Sequence, residues 1–157
     1  METQYQDQYQ EPAELRLSRS YNVAPEKVWR AWTEPQALSQ WFGPGKAPSV
    51  TTAEIDLRVG GRYRIAFSTP DGDTHEVSGV YQEVVLHRRL VFTWAWKSTP
   101  ERVSRVSIEL TPLANGCGLS FVHDRFFDAT AHADHERGWM PFFDKLDEFL
   151  HRNPQEA

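Results

Sequence analysis

Residues 139–150 read WMPFFDKLDEFL, and their apolar side chains recur at helical spacing. They fall at i, i+3, i+4, i+7, i+10 and i+11 and comprise Trp139, Phe142, Phe143, Leu146, Phe149 and Leu150. This spacing predicts one wide apolar stripe on a helix running from about Thr130 to His151, capped by Asp128 or Thr130. The apolar face of such a helix must pack against another layer of secondary structure. The residues that precede the helix are expected to form that layer.

Seven strand-like segments precede this helix. Apolar and polar side chains alternate at period two, first from Glu14 to Tyr21 and then in six further runs. These runs are Val50–Val59, Arg62–Ser68, His75–Val85, Arg89–Lys97, Val103–Leu113 and Cys117–Phe126. Short turn sequences such as Asn115-Gly116 separate successive runs, which favours an antiparallel meander.

Two short helices are predicted after the first strand. Pro25 suits a first helical position, and the apolar residues that follow share one face up to Thr33. Pro35 opens the second helix, which continues through Phe42 and ends at Gly43-Pro44-Gly45. The sequence therefore predicts an α+β fold, in which a curved seven-stranded antiparallel sheet is covered on one face by the long C-terminal helix.

Composition and charge limit the class of function. The net charge is −5 and the basic residues are scattered, which argues against a nucleic-acid surface. The chain has a single cysteine, Cys117, and no apolar run of the roughly 18 residues that a membrane span needs. These features predict a cytoplasmic protein. Residues 1–13 are polar and Gln-rich and are predicted to form a disordered tail before one domain over 14–152.

Several segments together resemble the helix-grip superfamily, also called START-like or SRPBCC, and within it the bacterial proteins similar to the C-terminal domain of the activator of Hsp90 ATPase. The segments that carry the resemblance are PEKVWRAWT (25–33), LSQWFG (38–43), GGRY (60–63), the Pro70-Asp71-Gly72 turn, GVY (79–81), LVFTW (90–94) and Gly138-Trp139. The resemblance covers residues 14–152, nearly all of the chain except its ends. It depends on the order and spacing of these segments.

The resemblance implies a cavity between the sheet and the final helix that accepts a hydrophobic or amphipathic small molecule. Ten residues are candidates for lining it: Trp41, Phe42, Phe67, Tyr81, Trp94, Trp96, Phe121, His123, Trp139 and Phe142. The alternative is that these aromatic residues simply form the core. Because the sequence offers few neutral polar partners for several neighbouring indole N–H groups, we hypothesise that water or a ligand accepts some of these hydrogen bonds.

Polar residues near the start of the final helix leave further alternatives open. Alternation along the last strand turns His123 inward, where it is either a pocket group or a hydrogen-bonded core histidine. Arg125 either binds an anionic ligand group or, as we favour, pairs with an acid. His132, His135 and Glu136 could hold a metal, but they lack the HExxH pattern, and a solvated helix start is the favoured interpretation.

Three functions therefore remain open from the sequence. The first is a non-enzymatic protein that binds a small apolar or amphipathic ligand without a cofactor. The second is a cyclase-type or hydrolase-type enzyme that uses His123 and Arg125 in the same pocket. The third is a regulatory or chaperone-partner interaction module, which should expose an apolar patch instead of a pocket. A homodimer is compatible with the family resemblance.

Overall fold

A computed structural model describes residues 14–45 and 48–152. The predicted N-terminal tail, residues 1–13, lies outside the described residues. Seven strands are present: β1 (Glu14–Tyr21), β2 (Val50–Ile55), β3 (Arg62–Ser68), β4 (Thr74–Val85), β5 (Arg89–Trp96), β6 (Ser104–Leu113) and β7 (Gly116–Asp124). Three helices accompany them: α1 (Pro25–Thr33), α2 (Pro35–Leu38) and α3 (Ala129–Arg152).

The strands form one antiparallel sheet in the order β1-β7-β6-β5-β4-β3-β2. Strands β2 to β7 follow one another as a meander, and β1 joins the far edge beside β7, with Tyr21 opposite Cys117. This arrangement confirms the predicted α+β helix-grip fold. The pairing of β4 with β5 shifts register between Tyr81 and Glu83, a bulge of the kind that bends a strand and increases its twist.

Three element ends differ from the sequence prediction by two residues or more. Strand β2 stops at Ile55 and not at Val59, because the chain turns over residues 56–61 with Gly60 at φ +86°. Helix α2 ends at Leu38, and Phe42 lies in the turns that follow it. Strand β7 ends at Asp124, since Arg125 adopts φ +65° and redirects the chain towards α3.

Helix α3 lies on the concave face of the sheet with its apolar stripe buried. Asp128 Oδ1 accepts a hydrogen bond from the Ala131 amide at 2.8 Å, so Asp128 and not Thr130 provides the side-chain cap. The stripe packs on strand side chains and on α1, and Phe149 is only partly buried at its margin. Within the described part of the chain, no helix has the length and apolarity to cross a bilayer.

The turn after α2 is fixed to the final helix. Lys145 of α3 is buried, and its Nζ donates a hydrogen bond to the Gly43 carbonyl at 3.2 Å. Burial lowers the pKa of this ammonium group. The contact holds Pro44 near the N-terminal half of α3, where it forms part of the wall of the pocket described next.

Candidate ligand pocket

An open pocket of about 320 Å³ lies between strands β3 to β5 and the N-terminal half of α3. Five aromatic side chains form its walls: Phe67 from β3, Trp94 and Trp96 from β5, and Trp139 and Phe142 from α3. The other lining residues are Pro44, Thr69, His75, Asp134, His135, Gly138 and Pro141. The sheet and the helix therefore each contribute rings to one cavity.

The five wall residues form a closed circuit, which we call the aromatic box. Ring centroids are 5.5 Å apart for Trp94 and Trp96, 6.0 Å for Trp96 and Phe67, and 6.0 Å for Phe67 and Phe142. Phe142 and Trp139 are 5.4 Å apart, and Trp139 and Trp94 close the circuit at 4.9 Å. Successive ring planes meet at 86°, 70°, 89°, 70° and 41°, so four of the five neighbouring pairs pack edge to face.

The structure divides the ten predicted pocket residues into two groups. The five residues of the aromatic box line the cavity. Phe42 is 1% exposed and lies behind the box, with its ring 4.8 Å from Phe142 and 5.8 Å from Phe67. The other four are core residues that do not line this pocket: Trp41, Tyr81, Phe121 and His123.

These four residues are packed in the core, away from the pocket. Trp41 is fully buried and donates its indole N–H to the Ala31 carbonyl at 2.9 Å, within the α1 and α2 region. Phe121 is fully buried between Trp139 and Phe143. Tyr81 packs with Tyr63 and Phe92. The sequence pattern correctly turns these side chains towards the interior of the protein. That interior is the packed core, however, and not the pocket.

His123 is the centre of a buried hydrogen-bonded chain. Its Nδ1 accepts from the Trp139 indole N–H at 3.0 Å, so its proton belongs on Nε2, which lies 2.7 Å from the Ser104 hydroxyl. The hydroxyl in turn donates to the Trp94 carbonyl at 3.2 Å. Burial, followed by the nearby His135 and His132, holds the pKa of His123 well below its usual range. His123 is therefore a neutral, satisfied core histidine.

His135 links the two tryptophans of β5 to the final helix. Its Nε2 accepts the Trp94 indole N–H at 3.2 Å and the Trp96 indole N–H at 3.0 Å. Because this nitrogen accepts, the proton lies on Nδ1 and is donated to the Ala131 carbonyl at 2.7 Å. Burial lowers the pKa of His135, opposed by that hydrogen bond and by Asp134. A proton on His135 Nε2 would point at the indole N–H groups of Trp94 and Trp96, which are themselves donors. The two hydrogen bonds therefore require His135 to be neutral.

The two histidines correct our hypothesis about the indole groups. Side chains of the protein itself, and not water or a ligand, accept the N–H groups of Trp94, Trp96 and Trp139. The sequence interpretation treated His135 as part of a solvated helix start and so missed this role. The Trp32 indole nitrogen is buried and has no hydrogen-bond partner among the described residues; Trp32 lines an inner cavity of about 20 Å³, room for one water molecule.

The remaining polar candidates do not form a reactive site. Arg125 is exposed and forms no ion pair with any described residue, and the neighbouring Asp124 binds Arg105 at 2.9 Å. His132 Nε2 lies 2.9 Å from the Glu14 carbonyl, which ties α3 to β1. Among residues 14–45 and 48–152, no group of histidines, cysteines and carboxylates has the geometry of a metal site.

The buried histidines predict that stability falls in mildly acidic solution. Both have folded-state pKa values below about 6.5, the value expected in the unfolded chain. Their contribution is complete above that pH, and it is lost as the pH falls from about 6.5 towards the folded-state values, because only the unfolded chain takes up the protons. Urea unfolding between pH 7 and pH 5 should show a loss, with about 1.4 kcal/mol per pH unit as the upper limit for His123 and a smaller slope for His135, whose pKa is lowered less. His123→Gln should remove part of this slope, and a free energy of unfolding that stays constant over this range would contradict the assignment.

This architecture defines a class: proteins in which a curved antiparallel sheet grips a long C-terminal helix beside an apolar pocket. The chain belongs to the family described as Activator of Hsp90 ATPase homolog 1-like protein, whose profile matches residues 22–151. A search of curated protein sequences found no match.

Solved structures of bacterial proteins share this fold. A protein of Chromobacterium violaceum is 31% identical with a TM-score of 0.77, covering 87% of this chain and 96% of its own. A protein of Nitrosomonas europaea is 28% identical with a TM-score of 0.76, covering 90% and 96%. An AHSA1 protein of Silicibacter pomeroyi is 27% identical with a TM-score of 0.78, covering 90% and 99%. The similarity thus extends over almost the whole length of each relative.

Proposed function

We propose that this protein binds a small apolar or amphipathic molecule in the pocket walled by the aromatic box. The observation that carries the proposal is an open pocket of about 320 Å³ whose lining, among the described residues, includes five aromatic side chains. Protein interiors leave few voids larger than a water molecule. Pockets for small ligands start at roughly 300 Å³ and are mostly apolar with a few polar groups, as this one is.

The arrangement of the lining supports an amphipathic ligand. The polar lining residues Thr69, His75 and Asp134 are intermediate or exposed in their solvent accessibility, whereas Trp94 and Trp139 are only 2% exposed. A ligand would therefore bury an apolar part among the rings and keep a polar part near solvent.

An enzymatic use of His123 and Arg125 receives no support from the site. His123 is fully buried, both of its nitrogens are engaged, and it does not line the pocket. A general acid or base must come within hydrogen-bond reach of its substrate. Arg125 is exposed beyond the end of β7 and does not line the pocket either.

An interaction module remains the second candidate because of the family description, which refers to Hsp90 activation. Large exposed apolar side chains do occur, but they are distributed over strand ends, turns and α3: Val59, Val85, Leu86, Val103, Leu113, Phe127 and Met140. Scattered exposed apolar residues are normal on proteins. The pocket is the more specific feature, so ligand binding is the function we propose, in a cytoplasmic protein whose single cysteine is buried and free.

The proposal can be tested with N-phenyl-1-naphthylamine, an uncharged probe whose fluorescence increases in apolar surroundings. We expect saturable binding at one site and quenching of tryptophan emission, because three of the six tryptophans line the pocket. Native mass spectrometry of gently purified protein should in addition show an adduct that denaturation removes. Absence of saturable probe binding by folded protein would contradict the proposal.

A further inference from the structure

We propose that His135 limits the length of the ligand, because its imidazole ring forms part of a partition between the pocket and a second cavity beside it. This inference rests on the proposed function, since it concerns which ligands the same pocket admits. Three observations support it: the two cavities share a wall, hydrogen bonds of His135 hold that wall together, and apolar side chains line the far side.

The second cavity has a volume of about 240 Å³ and lies towards the N-terminus of α3. Among the described residues, four line both cavities: Trp94, Trp96, Asp134 and His135. Asp134 is exposed and so belongs to the rim, whereas Trp94 is buried and the other two are partly buried. The wall between the cavities therefore consists of the two indole rings and the His135 imidazole.

Three hydrogen bonds hold the imidazole in this wall. The Nε2 atom of His135 accepts the indole N–H of Trp94 at 3.2 Å and that of Trp96 at 3.0 Å. Its Nδ1 donates to the Ala131 carbonyl at 2.7 Å, and the Phe126 ring packs on it with centroids 5.2 Å apart. Rotation of the ring out of the wall would break all three bonds and leave two indole N–H groups without acceptors, which is costly. The partition is therefore closed in the folded protein.

The second cavity would accept an apolar group if the partition were absent. Five of its described lining residues are apolar or aromatic, namely Trp94, Trp96, Phe126, Phe127 and Ala131. A ligand chain that passed the position of His135 would bury further methylene groups there, each worth up to roughly fourfold in affinity. The partition prevents that gain, so the pocket selects compact ligands over elongated ones.

Charged side chains at the two cavities have partners within the protein. Arg102 of the second cavity pairs with Glu101 at 3.8 Å, and Asp134 of the shared rim pairs with Arg137. Asp128 caps α3 through the Ala131 amide. Because both ion pairs are exposed, their charges are screened and give the cavities no clear preference for a charged ligand. Uncharged ligands therefore test the partition most directly.

The test uses the uncharged 1-alkanols from 1-butanol to 1-dodecanol, each added to displace N-phenyl-1-naphthylamine at about pH 7.5, where the lowered pKa keeps His135 neutral. In the unchanged protein, affinity should rise with chain length and level off within the series, once the chain fills the pocket. His135→Ala opens the partition, so affinity should continue to rise, by roughly twofold to fourfold for each further methylene. The longest alcohols should then bind at least roughly tenfold more tightly to this variant than to the unchanged protein.

Two further variants localise the effect. His135→Gln is the matched control, since its amide oxygen can accept the Trp96 indole N–H in place of Nε2. Ala131 lies one helical turn before His135 and lines the second cavity but not the pocket. Ala131→Leu, added to His135→Ala, should refill the second cavity and restore the levelling of the unchanged protein. Ala131→Leu alone should leave the whole series unchanged, and it keeps the test decisive if His135→Ala does not fold.

The outcomes separate the partition from the proposed function. A longer rising range in His135→Ala that Ala131→Leu cancels supports the partition, as does an unchanged series in Ala131→Leu alone. The same levelling length with and without His135, affinity that rises through the whole series in the unchanged protein, or weaker binding of long alcohols to Ala131→Leu overturns the partition and leaves the proposed function standing. If neither N-phenyl-1-naphthylamine nor any alcohol binds the unchanged protein, the proposed function fails together with the partition.

Discussion

A Gly138→Phe variant is expected to lose at least roughly tenfold in affinity for N-phenyl-1-naphthylamine while keeping its fold. Gly138 lines the pocket from α3, and a Cβ atom built at this position meets nothing within 4 Å. The added ring can therefore occupy the apolar space that the probe needs. Probe affinity is measured by fluorescence titration, and folding by circular dichroism and urea unfolding.

Gly138→Ala is the matched control. Glycine inside a helix costs roughly 0.5–1 kcal/mol relative to alanine, so this variant should be more stable by about that amount. Its single methyl group should leave probe affinity within about twofold of the unchanged protein. Unchanged affinity in a folded Gly138→Phe variant would show that the probe binds elsewhere.

A His123→Ala variant is expected to lose about 3–5 kcal/mol of the free energy of unfolding. The substitution leaves the buried Trp139 indole N–H without an acceptor, deprives Ser104 of its partner and creates a void among fully buried side chains. Urea unfolding at pH 7 measures the loss. A decrease below about 1 kcal/mol would contradict the assigned network.

Two controls separate the network from a general effect of losing a histidine. His75 is exposed at the pocket rim, so His75→Ala should change stability by no more than about 0.5 kcal/mol. Ser104→Ala removes one link of the chain and should cost about 1–3 kcal/mol, because it leaves the His123 Nε2 proton without an acceptor.

Regular patterns were sufficient to predict the fold class. The apolar stripe of residues 139–150 required a covering layer, and the period-two runs with short turns predicted the meander of β2 to β7, whereas the pairing of β1 with β7 was not predicted. The errors concerned the ends of strands and helices, where the apolar pattern does not show that the element has stopped. Val59 continues an apolar pattern but lies beyond β2, in the turn that contains Gly60.

The pocket was harder to predict than the fold, for a physical reason. Alternation indicates that Phe121 and Trp94 both face inward, but only the curvature of the sheet and the position of α3 determine which of them reaches the cavity. His135 illustrates the same limit. Trp94 and Trp96 lie two apart on one strand face and both need acceptors, which was a usable signal, but 39 residues separate Trp96 from the histidine that satisfies it.

The most direct test of ligand binding in the aromatic box is a ¹H–¹⁵N nuclear magnetic resonance titration that follows the six indole N–H signals while N-phenyl-1-naphthylamine is added. We predict large, saturable shifts for Trp94, Trp96 and Trp139, whose rings line the pocket. Trp29 and Trp41 do not line it and should shift little, since Trp29 packs against His87 and Trp41 binds the Ala31 carbonyl. Shifts confined to Trp29 or Trp41, or no saturable shift at any indole, would contradict a ligand site in the aromatic box.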